Sequence, residues 1–542
     1  MVDFFSDALY SHRLIFFMQK FLNWLDQIAE IETEHLLPKW LERIAFIFLI
    51  LMILSAPHSI AATQTAWLSG MFFWMIRLFI KPRRKLLKTP LDIALWAFLG
   101  WSAISSVFSY DPATSIDRLR NVALFLIFYF VINNLKTVRA VKFLASALIF
   151  SCMVNVLWTP IERIFGRGVE IHGMSAQSPL AKAFLKEGDT LLEADGKKLK
   201  TLDDLIALVE QSEITHVKFY RPDFYYTVEV KRANLLGGAN TFEKLGVTDW
   251  KKSRNWRSAG FYGHYTTYAE VLQMIAALVF GLFVALDKKR SWRGAVLLFC
   301  LLGMTLALIL TVTRASQLGF LAAAFAIVLI NGNRKMLLTL ALIALPLGAA
   351  ALVFVQQSRQ VGFFDQKDDS TVYRQTVYKE GFTLWTKDAR NFFLGVGMDS
   401  IKRYAKEWRL FDDGKLPMGH FHSTPLQLLV ERGLPALLLW LFVLWKYGKT
   451  LLNYLRVESQ KLKSEIENRK SKIEDRKSFD WQKKGVILGG FGSLVGFFTS
   501  GLVHFNLGDA EVAMVFFMLM GLSVSLVIQD SKSNIESVNL ES

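Results

Sequence analysis

The residues 419–427, Gly-His-Phe-His-Ser-Thr-Pro-Leu-Gln, form a polar, histidine-bearing stretch that runs straight into the apolar segment 428–444. An ionisable group where an apolar helix begins marks a site or a polar pathway. The ordinary pKa of imidazole lies close to working pH, which suits His422 to accept a proton from a hydroxyl. The plain alternative is a loop residue at a helix start. Arg314 stands between two apolar runs, 294–313 and 315–331, and neither run contains an acidic residue. A guanidinium at such depth is costly and calls for an anion. Its planar fork matches phosphate oxygens, although snorkelling to the surface is a competing reading. Arg257 precedes the next apolar run upstream and Arg374 lies in the long segment downstream. With Arg314 they could hold a diphosphate.

Composition names the medium in which these groups work. Hydrophobic residues make up 52% of the 542 residues, with 44 Phe and 15 Trp, and the mean hydropathy is +0.30. These values predict a polytopic membrane protein with membrane lipids as its surroundings. The net charge of +16 sits in short runs between apolar spans. It therefore reads as membrane topology, with no nucleic-acid partner. Cys152 and Cys300 lie inside apolar spans, so neither a disulfide framework nor a thiolate metal site is expected.

Apolar runs long enough to cross a bilayer fall at about 42–60, 64–80, 91–108, 121–135, 142–160, 265–286, 294–313, 315–331, 336–355, 425–445, 486–504 and 511–528. The expected fold is thus an all-α polytopic membrane protein of about 12 transmembrane helices. The organisation is an N-terminal cytoplasmic or interfacial segment 1–40, helices one to five over 41–160, and helices six to nine over 257–355. A periplasmic loop region 356–424 and helices ten to twelve over 425–530 follow. Segment 1–40 carries Asp3, Asp7, Arg13 and Lys20, unlike a cleavable signal peptide, and its apolar face over 14–28 could lie along a membrane surface. Basic clusters at Lys81–Lys88, Lys136–Lys142, Lys288–Arg293 and Arg334–Lys335 fall on one side, which the positive-inside rule makes cytoplasmic, together with both termini. The charged loop 446–484 nearly repeats seven residues, 466–472 and 473–479, and reads as a solvated linker. The long connections 160–264 and 356–424 then face the periplasm, and loops of this size usually carry function.

Within the first of these, the pattern changes to short alternating strands around Gly188-Asp189, Asp195-Gly196-Lys197 and the helix start Thr201-Leu202-Asp203-Asp204-Leu205. This stretch, 170–235, resembles a bacterial PDZ domain, a small α+β module. The resemblance implies a peptide or protein ligand added to a sheet edge; a module that only props up the loop is the alternative. Such inserts also occur in intramembrane metalloproteases, but no His-Glu-x-x-His is present. Ser500 and His504, one helical turn apart, invite a serine-protease reading without an oxyanion-hole motif. Asp368-Asp369 and Asp412-Asp413 lack further spaced ligands, so no metal and no cofactor is expected.

Four segments occur in order: Arg257-x-x-Gly260-Phe261, Thr311-x-Thr313-Arg314-Ala315-Ser316, Leu394-Gly395-Val396-Gly397, and His422 through Glu431-Arg432-Gly433. Together they resemble the O-antigen ligase and polymerase superfamily over nearly all the spans, with the PDZ-like insert as an addition. The resemblance implies a glycosyltransferase of a bacterial inner membrane, with a polyprenyl (undecaprenyl) diphosphate glycan as donor and an acceptor hydroxyl, lipid A-core foremost. Its catalytic residues would be His422, Arg314 and Arg257. Arg374, His264, Gly395, Gly397 and Glu431 would bind substrate. Arginines instead of a metal would stabilise the departing diphosphate, and direct displacement would invert the anomeric centre. A polymerase of the same superfamily, a protein O-oligosaccharyltransferase and a non-enzymatic lipid-linked sugar flippase are the alternatives.

Overall fold

The computed structural model describes residues 2–221, 224–254, 256–332, 369–468 and 480–541, and the single positions 335, 338 and 353. Among these the chain is mostly helical. Six helices are long and apolar enough to cross a membrane: Val138–Phe165, Tyr265–Ala285, Trp292–Leu310, Arg314–Asn331, Thr424–Gln460 and Ala510–Asp530. The expected spans 42–60, 64–80, 91–108 and 486–504 are also helical, as Leu36–Ser55, Ile60–Phe79, Asp92–Val107 and Trp481–Gly501. The stretch expected as one span over 121–135 is broken into Leu119–Val122, a 3-10 turn Ala123–Phe125 and Leu126–Asn134. The expected span 336–355 lies almost wholly outside the described residues.

Tyr265–Ala285 is apolar apart from a short stripe of Thr267, Glu270 and Gln273 in its first half, and nearly all of it is buried. It packs most extensively against Trp481–Gly501, which also meets Arg314–Asn331. Small residues permit this approach: a side chain at Gly281 would collide with the backbone at Gly485 and Gly489. Close backbone packing of this kind supplies the dispersion energy that holds helices together in lipid, where no hydrophobic drive exists.

The insert is a six-stranded sheet with its own apolar core. Its strands are β1 (Arg167–Met174), β2 (Thr190–Ala194), β3 (Lys197–Lys198), β4 (Ile214–Arg221), β5 (Phe224–Lys231) and β6 (Val247–Ser253). Their order is β5-β4-β2-β1-β6, with β3 on β2, and all pairs are antiparallel. Asp195 and Gly196 adopt the left-handed conformation that a two-residue hairpin between β2 and β3 requires. Thr201 and Asp204 form a reciprocal capping box at the start of the helix Leu202–Gln211, which buries Leu202, Leu205, Ile206 and Val209. The sheet extends past the expected boundary at 235, because β6 pairs with β1 along Arg167↔Ser253 to Met174↔Val247.

In the N-terminal helix Val2–Ala29, Phe16, Phe17, Met18 and Phe21 are exposed while Leu25 and Ile28 are buried.

Candidate active site

The histidine loop is clamped from both sides. Phe421 is fully buried and stacks on Phe411. Its N–H donates to Gln427 Oε1 at 2.8 Å. Thr424 opens the following helix, and both its N–H and its hydroxyl donate to the His504 carbonyl, at 3.0 and 3.1 Å. The Tyr378 hydroxyl donates to the His422 carbonyl at 3.0 Å, while the Tyr373 ring meets His422 edge-on at 5.3 Å. With Phe421 directed inward, His420 and His422 flank it on the same side, ring centroids 4.3 Å apart. His422 holds a left-handed φ of 47°, a conformation that a non-glycine residue keeps only where the surroundings dictate it.

Charges from four segments bear on this loop. Burial pushes the His422 imidazole down to about 3, helped by His420, Arg374 and His504. Burial also pushes His420 down to about 4, with His504 and Lys402 next. His504, in the turn after Trp481–Gly501, is held at about 3 by burial and then by Arg374 and Arg257. Its Nδ1 lies 2.7 Å from Glu270 Oε1, and Glu270 is 1% exposed. His264, capping Tyr265–Ala285, is lowered first by burial and again by Arg257 and His504, against the opposing pull of Asp509. Asp509 in turn accepts from the Thr267 hydroxyl at 2.6 Å. The imidazoles of His420, His422 and His504 are thus neutral at neutral pH beside Arg374 and Arg257.

Arg257 is fixed by the turn that precedes Arg314. Its guanidinium donates to the carbonyls of Thr311 and Val312 at 3.0 and 2.9 Å and to the Thr313 hydroxyl at 3.2 Å. It also covers the Tyr265 ring at 3.6 Å. Val312 takes a left-handed φ of 54°, turning the chain so that Arg314 becomes the first residue of its helix. Arg257 and the backbone leading into Arg314 therefore share one locus.

Glu431, Gly395 and Gly397 form a second layer beneath the loop. Pro435 has no N–H to give the Glu431 carbonyl, and Gly433 breaks the helix at φ 75°. The freed carbonyls of Val430 and Glu431 accept from the N–H groups of Val396 and Gly397, both at 2.8 Å. At Gly397, with φ 101°, a side chain would collide with Ser109; at Gly395 it would strike the backbone of Glu431 and Arg432. The Glu431 carboxylate, 4% exposed, accepts from Asp399 N–H at 3.1 Å and from Gln427 Nε2 at 2.8 Å. Gln427 also holds Phe421, so Glu431 reaches the histidine loop through a single amide.

The matched segment can now be placed on this geometry. Residues 299–441 match the O-antigen ligase family. The O-antigen ligase match takes in Arg314, Arg374, Gly395, Gly397, His422 and Glu431; Arg257, His264 and His504 fall outside it. It supports a membrane glycosyltransferase of O-antigen ligase or polymerase type in general, in a bacterial membrane. The family implies a lipid-linked glycan donor and a lipid acceptor. No curated protein matches the chain.

Sequence reasoning gave no role to Glu270, Asp509, Tyr378 or Gln427. An acid one turn inside an apolar span was the available signal for Glu270; the others are brought in by contacts between distant segments. Ser500 is occupied elsewhere, accepting from Gln273 Nε2 at 2.7 Å and Asn506 Nδ2 at 3.2 Å. Asp412 pairs with Lys415 at 3.3 Å, and Asp368 lies outside the described residues. Among the described residues, no cluster of three or more His, Cys, Asp or Glu side chains is arranged to hold a metal ion.

Proposed function

We propose that the chain transfers a glycan from a polyprenyl diphosphate carrier to an acceptor hydroxyl, with lipid A-core as acceptor, on the periplasmic face of a bacterial inner membrane. The observation that carries this reading is the meeting of neutral imidazoles with Arg374 and Arg257 at one end of the helix bundle. Arg257, Arg314 and Arg374 supply the positive charge that the diphosphate meets, Arg257 while its own donors hold it on the turn before Arg314. His422 accepts the proton of the acceptor hydroxyl. The hydroxyl oxygen attacks the anomeric carbon, the bond to the diphosphate oxygen breaks, and the arginines meet the charge that develops there. One displacement inverts the centre.

An imidazole held at about 3 has its lone pair available at neutral pH but is a weak base. A bound diphosphate offsets the positive field of Arg374 and moves His422 toward the range in which general bases work best. Proton transfer is thereby tied to donor occupancy. Gly395, Gly397 and Glu431 act as positioning residues in this reading, and His264 helps shape the donor side. The insert, read as PDZ-like, takes an extended peptide at a sheet edge on the same face.

The test is the purified chain with a synthetic polyprenyl diphosphate glycan and lipid A-core acceptors, with and without chelator. His422→Ala abolishes transfer while donor binding persists; full transfer by this variant overturns the base assignment. Arg314→Ala weakens donor engagement, and undiminished turnover at limiting donor overturns that role. In a deletion strain, unligated carrier-linked polymer supports the ligase. Single unpolymerised units point instead to a polymerase, and an unglycosylated protein pool to protein glycosylation.

A further inference from the structure

A cavity of about 530 Å³ lies far from the histidine loop, lined by Trp74, Arg84, Lys85, Lys136, Thr137 and Gln529 among others. The helix that begins at Ala510, next to Asp509 of the candidate site, reaches the cavity at Gln529. At 1.5 Å per residue the two sites are about 30 Å apart along that helix, at opposite ends of the bundle. Arg84 and Lys85 of the basic segment 81–88 and Lys136 of 136–142 meet there.

The cavity lining carries more cations than acids. The buried carboxylate of Glu42 is shared by Arg77 at 2.9 Å, Lys136 at 3.2 Å and Arg84 at 3.3 Å. Lys85 adds a fourth cation, and Glu30 is the one acid in the lining. Of these, Arg84, Lys85 and Lys136 line the cavity with Glu30, while Arg77 and Glu42 stand outside the lining and Glu32 also bears on Lys136. Lys136 is pushed below the ordinary lysine range by burial and by Arg84, the signature of like charges crowded out of water. Its Nζ also donates to the Glu30 carbonyl at 2.6 Å. Beside these cations, the indole N–H of Trp74 has no hydrogen-bond partner among the described residues. Leu78, Leu87, Ile132, Val138 and Ile528 supply an apolar wall. The volume lies within the roughly 300–1,000 Å³ that small-molecule sites occupy.

We propose that this cavity binds a phosphate-bearing anion, either the head group of an anionic phospholipid or a soluble phosphate compound. The phosphate sits between Arg84 and Lys136, where basic pockets among membrane helices recruit such groups, and the apolar wall accommodates glycerol and the start of an acyl chain.

The experiment uses the full chain, purified in detergent and delipidated, titrated with dihexanoyl-phosphatidylglycerol, with phosphate-free dihexanoylglycerol and with inorganic phosphate. Binding is read by native mass spectrometry and by the shift in melting temperature. Phosphatidylglycerol is expected to bind saturably and dihexanoylglycerol not to bind. Lys136→Met and Arg84→Gln should weaken binding at least tenfold. Two further variants guard against misfolding: Trp74→Phe, which keeps every charge and weakens binding about threefold, and Glu30→Gln, which removes an exposed acid and tightens it. Displacement by millimolar inorganic phosphate identifies a soluble ligand, and failure to displace identifies the lipid. Equal binding of phosphatidylglycerol and dihexanoylglycerol, or unchanged affinity in all four variants, overturns the proposal.

Discussion

Glu431→Gln isolates the charge that anchors the histidine loop. The substitution keeps an oxygen in the position that accepts from Asp399 N–H and from Gln427, and it turns the second carboxylate oxygen into an amide. That second oxygen lies 4.0 Å from the Arg432 guanidinium, and the two side chains are 5% and 6% exposed. Opposite charges at that separation interact by about 4 kcal/mol at an effective dielectric constant of about 20. Arg432 gains nothing in exchange: among the described residues its Nε has no hydrogen-bond partner, and its guanidinium otherwise meets the Ser102 hydroxyl at 3.4 Å and the Phe98 ring. Glu431→Gln should therefore destabilise the chain by about 3–4 kcal/mol, close to the cost of leaving a buried charge alone. Glu431→Ala should cost about 2 kcal/mol more, since two hydrogen bonds of about 1 kcal/mol each go with it. Denaturation of the purified chain in detergent, followed by tryptophan fluorescence, measures both. In a double-mutant cycle with Arg432→Met, the pair should lose less than the sum of the single variants. Additive losses, or a Glu431→Gln variant as stable as the parent, would refute the claim that this pair carries the loop.

Other outcomes follow from the same geometry. His420, His422 and His504 all have depressed pKa values in the folded chain. Their contribution is fully present above the unfolded value near 6.5 and is lost as pH falls through the window between 6.5 and about 3. At pH 5.5 the three together should remove about 4 kcal/mol relative to pH 7.5, at about 1.4 kcal/mol per histidine. Replacing His504 by Asn should flatten the slope of stability against pH, and an unchanged slope would count against the burial argument. Gly397→Ala must place a methyl group against Ser109 at a φ of 101°, so melting should fall by an amount corresponding to at least 2 kcal/mol. Gln427→Leu leaves the Phe421 N–H and Glu431 without their shared amide. It should cost about 2 kcal/mol and lower the transfer rate more than donor affinity, which steady-state kinetics would separate.

The candidate site was legible where chemistry is local. His422 stands next to an apolar helix, and Arg314 sits between two acid-free runs; each can be read from a window of a few residues. The capping box at Thr201 and the hairpin at Asp195 are equally local, and the structure contains both. What escaped depends on partners far along the chain. The break at Gly433 is visible as Gly-x-Pro, yet its purpose emerges only when Val396 and Gly397, more than thirty residues upstream, donate to the freed carbonyls. The pairing of His504 with Glu270 spans 234 residues. Strand β6 was missed because its sequence, Val-Thr-Asp-Trp-Lys-Lys-Ser, alternates weakly and is held in the sheet by β1, eighty residues earlier.

The pairing of Arg167 with Ser253 sets entry to and exit from the sheet side by side, directly after the helix Val138–Phe165 and a few residues before Arg257. A cassette with adjacent ends can be gained, lost or exchanged without moving the scaffold on which it is mounted. A chain in which a short glycine bridge replaces residues 167–253 should keep its helices in register. The insert can therefore change independently of the helical scaffold.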